Sequence, residues 1–175
     1  ADIAIYSYIK SFLNSSNNNK IIGVARAGNV IGGGDWSTDR LIPDCFKKWI
    51  YKKEVIIRSP NATRPWQNVI DVIIGYVSLA VSLRKNKRLN GEAFNFGPNS
   101  NQNHTVNDLI RELSSFWPGS KIRDLTSQDQ NIYESGLLKL NCDKAFNYLG
   151  WQPILGIEET VRMTSDWYTN YYNQK

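Results

Sequence analysis

A single histidine, His104, and two cysteines, Cys45 and Cys142, stand among the 175 residues. So sparse a set leaves almost no room for a His-based metal centre or a Ser-His-Asp triad. His104 sits in a loop ahead of a helix and reads as a surface residue near an N-cap. The two cysteines lack metal-ligand spacing, and a chain with a good core needs no disulfide, so both read as free thiols. Also missing are the G-x-G-x-x-G fingerprint between a first strand and helix, and the Walker A pattern. No apolar run approaches the length of a membrane span, and the N-terminus lacks the basic and apolar regions of a signal peptide. The expectation is a cytoplasmic protein with no membrane partner. On that footing the sequons at Asn61-Ala62-Thr63 and Asn103-His104-Thr105 are chance matches.

What is present suits a folded protein. Hydrophobic residues make up 41% and aromatic residues 12%, enough to bury a core in one compact domain or one and a half. The net charge of +5 favours anionic partners. Its distribution is informative: Lys47, Lys48, Lys52 and Lys53, then Arg84, Lys85, Lys87 and Arg88, fall toward predicted helix ends. There they complement the macrodipole and stay solvated. No aromatic-interleaved basic stripe accompanies them, so nucleic acid is not an expected partner. Residue Ala1 runs directly into an apolar-periodic segment, as if the sequence opened in the middle of a helix of a longer protein.

Along the chain, Ile5, Ile9, Phe12 and Leu13 fall at helical spacing, and the polar run Asn14 to Lys20 predicts a loop. Ile21 to Ile31 reads as one strand, apolar and β-branched enough to be buried on both faces of a parallel sheet. Leu41 to Lys53 predicts a helix with Pro43 in its first turn and Leu41, Cys45, Phe46, Trp49 and Ile50 on one side. Glu54 to Arg58 is a short strand, and Val69 to Leu83 a long apolar helix expected to be largely buried. Ala93 to Phe96 is a strand closed by Gly97-Pro98. Thr105 and Asp108 make a capping-box-like start for a helix through Phe116, which Trp117-Pro118-Gly119 ends. A strand near Leu137 to Leu140 precedes a helix from about Asp143 to Leu149, stopped by Gly150. The last helix runs from about Ile157 to Tyr171. Alternating strands and helices predict an α/β fold with a mostly parallel or mixed sheet, incomplete at its edges.

Two stretches carry the chemistry. In Arg26-Ala-Gly-Asn-Val-Ile-Gly-Gly-Gly-Asp-Trp36, Gly32, Gly33 and Gly34 follow a strand, but the next helix starts too late for a dinucleotide fingerprint. The triplet is either a flexible turn or a place where backbone approaches an oxyanion. Asn29, at the carboxyl end of the strand where α/β folds bind ligands, favours the second. In Arg64-Pro65-Trp66-Gln67-Asn68, the Arg64 guanidinium could grip a phosphate bidentately beside the Trp66 ring. Equally, Arg64 could be a surface residue packed on a core Trp66.

These stretches, with Asp39 to Asp44 (DRLIPD), Arg64 to Val72 (RPWQNVIDV), Phe94 to Pro98 (FNFGP) and Leu138 to Pro153 (LKLNCDKA...LGWQP), resemble the extended short-chain dehydrogenase/reductase family. GGGDW with RLIPD and RPWQ narrows the likeness to its CDP-glucose 4,6-dehydratase branch. The resemblance covers nearly all 175 residues. It implies the C-terminal part of such an enzyme: the remnant of a Rossmann-like parallel sheet plus a smaller α/β substrate-binding domain. Residues 1–31 would be the trailing helix and strand of the NAD-binding domain. Residues 32–175 would mainly bind the nucleotide sugar, with about 64–97 returning to the Rossmann part.

In the family, a tightly bound NAD oxidises carbon 4 of glucose, water leaves across carbons 5 and 6, and the hydride returns to carbon 6. The glycine-rich NAD loop and the Tyr-x-x-x-Lys dyad would lie upstream of Ala1, so this chain alone would hold no catalytic or cofactor residue and be inactive. Tyr6 and Lys10 share the dyad's spacing by coincidence. The resemblance implies a CDP-sugar substrate, NAD in the full-length protein and a homodimer of it. Asn29 and Gly32 to Gly34 would contact the diphosphate or sugar, and Arg64 would neutralise the diphosphate. Arg40 and Trp66 would lie near the same cleft, and Glu134 and Lys139 would close its far wall; Asp71 and Asn95 read as structural. Three alternatives stay open: a non-catalytic nucleotide-binding or assembly module, another extended family epimerase or reductase, and, most remotely, a nucleic-acid binder.

Overall fold

The apolar run from Ile21 to Ile31 forms two strands, not the single one expected. β1 (Val24–Ala27) and β2 (Asn29–Ile31) are separated by Gly28 and join different partners in the computed structural model, which describes residues 2–13, 20–57, 59–124 and 138–174. Ahead of them, α1 (Asp2–Tyr8) runs into a π-helical turn (Ile9–Leu13) whose Ile9 is buried while Phe12 faces outward. After them come α2 (Leu41–Ile50), β3 (Glu54–Ile57), β4 (Trp66–Asn68) and α3 (Val69–Lys85). A short 3-10 turn, β5 (Ala93–Phe96), α4 (Val106–Ser115), β6 (Lys121–Asp124), α5 (Asp143–Leu149) and α6 (Ile157–Asn173) complete the order.

The described strands form three parallel pairs: β1 with β5, β2 with β4, and β3 with β6. Parallel pairing requires helical crossovers and covered faces, which accounts for the strand-helix alternation. Two hydrophobic clusters follow. The larger gathers Phe46 and Trp49 of α2, Val55 and Ile57 of β3, Leu109 and Leu113 of α4, and Val161 and Tyr168 of α6. The smaller joins Leu79 of α3 and Phe94 and Phe96 of β5 to Ala145 and Trp151. The Trp49 indole N–H donates to the Lys121 carbonyl (3.2 Å), fastening α2 to β6.

Local signals were followed closely at several ends. Thr105 and Asp108 form a full capping box at α4, and Gly150 ends α5 with a φ of 64°. Three further expectations need correction. β6 forms where no strand was expected, and 138–140 carry no strand pairing. α3 is not largely buried. Val72, Gly75 and Leu79 face the core, while Ile70, Ile73, Ile74, Val77 and Val81 are exposed on the other side. Apolar character all round a helix shows that it can be covered, and nothing among the described residues covers that second face.

Among the buried residues of α3, Asp71 is the charged one, at 2% exposure. Its carboxylate accepts from the backbone N–H of Ile154 (3.2 Å) and Leu155 (3.0 Å), and its carbonyl accepts from the Trp151 indole (3.1 Å). It therefore pins the loop between α5 and α6 onto α3, as the structural reading required. Asp71→Ala leaves those N–H groups unpaired and is expected to cost about 2 kcal/mol. A lowered urea midpoint at unchanged slope checks this; an unchanged midpoint contradicts it.

Candidate functional site

Gly28 is where the two ladders part. Its N–H donates to the Phe96 carbonyl of β5 (3.1 Å), and the next N–H, of Asn29, donates to the Pro65 carbonyl ahead of β4 (2.9 Å). A Cβ at Gly28 would sit 2.5 Å from that Pro65 oxygen, so only glycine fits the switch. Strands that diverge at their carboxyl ends leave a crevice. A cleft of about 950 Å³ opens here, within the range of small-molecule sites.

Of the residues marked out in the sequence, Asn29, Gly32, Arg40, Arg64 and Trp66 line this cleft together. Asn29 stands opposite Trp66 in the β2–β4 register. Trp66 is buried, and its indole N–H has no hydrogen-bond partner among the described residues. Arg64 is half-buried, one of its terminal nitrogens donating to the Thr63 carbonyl (2.8 Å). The segment just before it is braced by the isolated Thr63–Thr105 bridge and by the Val106 N–H donating to the Ala62 carbonyl (2.9 Å). Arg40 is exposed at the start of α2.

The other expected residues are placed differently. Gly33 and Gly34 lie against Trp167 of α6 instead of lining the cleft, and Gly34 has a φ of +83°. Lys139 donates to the Ser100 carbonyl (3.2 Å), while its neighbours Leu138 and Leu140 line the cleft. Glu134 lies outside the described residues. Tyr6 and Lys10 make an exposed cation–π contact at 5.4 Å, not an acid-base alignment toward the cleft.

The glycine turn is built into the body of the protein by groups that sequence reasoning left aside. Lys47, expected to be a solvated helix-end charge, donates to the carbonyls of Trp36 (2.8 Å) and Ser37 (3.2 Å). Tyr168 donates to the Asp35 carbonyl (2.6 Å), and burial holds its hydroxyl well above its ordinary pKa, so it remains a donor. Tyr168 also stacks on Phe46 at 4.2 Å, and the Trp36 ring nests among Trp167, Tyr171 and Tyr172. Asp35, which lines the cleft, is kept below the usual carboxylate range chiefly by the Ser37 N–H, with Arg40 and Lys47 adding to it. It is therefore a charged acceptor at neutral pH. The spacing of Lys47 eleven residues after Trp36 gave no local signal of this contact.

Cys45 is fully buried, and burial pushes its thiol up to about 12. Among the described residues no cluster of His, Cys, Asp and Glu is arranged to hold a metal ion. No described helix is long and apolar enough to cross a membrane.

No protein-family model matches the chain. It is similar to CDP-glucose 4,6-dehydratase of Salmonella typhimurium, with 37% identity over 171 residues, 96% of this chain and 47% of that protein. Among solved structures it is similar to the UDP-glucuronic acid 4-epimerase of Bacillus cereus in complex with UDP-glucuronic acid and NAD (TM-score 0.77, 20% identity, 98% of this chain and 50% of that one). It is also similar to dTDP-glucose 4,6-dehydratase of Bacillus anthracis in complex with NAD (TM-score 0.75, 19% identity, 98% and 50%). The chain thus spans about half the length of its relatives. Its fold is that of the C-terminal part of an extended short-chain dehydrogenase/reductase, and the resemblance read from the motifs holds across nearly the whole chain.

Two outcomes follow from this geometry. A side chain at Gly33 collides with the Trp167 ring, so Gly33→Ala is expected to cost about 1–3 kcal/mol through overpacking; thermal unfolding measures it, and an unshifted midpoint contradicts it. Titration of the native chain with a thiol-specific disulfide reagent at pH 8 is expected to leave Cys45 unmodified until denaturant is added, since thiolate is the reacting form. Modification of Cys45 before unfolding would contradict the burial.

Proposed function

We propose that the chain is the substrate-binding half of an NAD-dependent nucleotide-sugar 4,6-dehydratase, a lyase that converts CDP-glucose to CDP-4-keto-6-deoxyglucose. The observation that carries this reading is the cleft at the ladder switch, where Arg64 and Asn29 share one concavity with the backbone of Gly32. A guanidinium on a half-buried stem suits the two charges of a diphosphate, which it meets with paired N–H donors. Asn29, the first residue of β2 just past the carboxyl end of β1, offers both a donor and an acceptor to sugar hydroxyls or phosphate oxygens. The 37% identity to a CDP-glucose enzyme favours cytidine over the uridine and thymidine nucleotides of the structural relatives.

The residues present do not fit NAD. A dinucleotide cradle needs its glycines directly before a helix N-terminus, whereas α2 begins only at Leu41 and Gly33 is packed against Trp167. NAD and the Tyr-x-x-x-Lys dyad are therefore assigned to an upstream half of the full-length protein, and this chain alone is inactive. The smaller cluster around Phe94 and Phe96 supports a Rossmann remnant formed by residues 1–31 and about 64–97, the rest serving mainly the nucleotide sugar. The exposed Ile3 and Tyr6 of α1 and Phe12 of the π-helical turn after it support a homodimer of the full-length, cytoplasmic protein.

Calorimetric titration of the chain with CDP, UDP, dTDP and NAD tests the reading. Saturable CDP binding in preference to the others is expected, with Arg64→Ala weakening it about tenfold to a hundredfold. Absence of CDP binding, or an Arg64→Ala variant that binds equally well, would overturn it.

A further inference from the structure

We infer that Asp44 and Lys48 of α2 read the base of the nucleotide and select cytosine over uracil or thymine. The inference rests on the proposed nucleotide-sugar reading of the cleft. In this reading Arg64 takes the diphosphate and Asn29 the sugar, and the base is assigned to the part of the lining supplied by the first turn of α2 and by β3. Ile42, Pro43, Val55 and Ile57 from these two elements contribute apolar lining to the cleft, against which a flat ring would pack.

Two charged side chains from α2 line the same cleft. Asp44 and Lys48, four residues apart, share one helix face. Both are only partly buried, so each can be reached. Asp44 has Lys47 at 4.0 Å, the outer limit of an ion pair, which leaves its carboxylate able to accept a hydrogen bond. Of the remaining cleft carboxylates, Asp35 is already engaged by the Ser37 N–H (2.9 Å), and Asp39 lies in the turn just ahead of α2, off the helix face that carries Asp44 and Lys48. An acceptor-only group and a donor-only group therefore stand on one helix face in the cleft.

Cytosine matches that pattern. Its edge carries an amino donor next to a ring-nitrogen acceptor, whereas uracil and thymine carry a carbonyl acceptor next to a ring N–H. In the cytosine complex the amino group donates to Asp44 and the ring nitrogen accepts from Lys48. With uracil or thymine both contacts invert: a carbonyl oxygen faces a carboxylate and an N–H faces an ammonium. Selection then comes from repulsion of the wrong base as much as from attraction of the right one.

The test is calorimetric binding of CDP and UDP to the full chain and to Asp44→Asn and Lys48→Gln. The unaltered chain should prefer CDP. Asp44→Asn should lower CDP affinity about tenfold, a typical loss for a hydrogen bond to a charged group, and leave UDP binding unchanged or improved. Lys48→Gln, which keeps the helix and most of the side-chain length, should likewise narrow the preference. A CDP preference that survives both substitutions, with Arg64→Ala still weakening binding, overturns base reading by this pair and leaves the nucleotide-sugar site standing. Equal loss of CDP and UDP in both variants also overturns it, since a general electrostatic or structural effect would do the same. An unaltered chain that binds neither nucleotide overturns both readings.

Discussion

The structure turns on a transfer of hydrogen bonding at one residue. Ala27 is paired with Phe96 of β5, Asn29 with Trp66 of β4, and Gly28 between them hands the chain from one ladder to the other. Everything that makes a crevice depends on this transfer. A continuous strand would have carried Asn29 onward beside β5, and the cleft would have closed. Gln67 reinforces the parting from the other side, donating to the Phe96 carbonyl (2.7 Å) and so tying β4 to β5 just where β1 and β2 diverge.

The cleft's other wall is held by α2 and the turn before it. The turn is not a loose glycine loop: Lys47 grips its carbonyls from α2, Tyr168 grips Asp35 from α6, and Trp36 is set in an aromatic cluster. The consequence is that Asp35 and Gly32 face the cleft from a backbone fixed at several points. Rigid presentation of this kind lowers the ordering cost when a ligand binds. One side of the crevice is thus set at its own lining, by Gly28, Asn29 and Pro65, and the other by contacts from α2 and α6.

Much of this was legible in the sequence, for reasons that can be named. The capping box at Thr105, the left-handed stop at Gly150 and the amphipathic stripe of α2 are local, and local chemistry decided them. The motif stretches also brought Asn29, Gly32, Arg40, Arg64 and Trp66 to one cleft. What the sequence hid was non-local. Nothing in Ile21 to Ile31 says that Gly28 must approach the Pro65 carbonyl, because that contact spans the intervening helix and strand. Gly33 and Gly34 read as an oxyanion cradle, but their neighbour is Trp167, more than a hundred residues away. The apolar run of α3 suggested burial because composition records which residues could be covered and not whether a partner is at hand.

That uncovered side of α3 has a consequence for how the chain behaves in bulk. Ile70, Ile73, Ile74, Val77 and Val81 face water along one helix. Apolar attraction weakens on cooling. A solution of the isolated chain should therefore be at its clearest when cold and grow cloudy on warming well below the temperature at which the fold itself is lost.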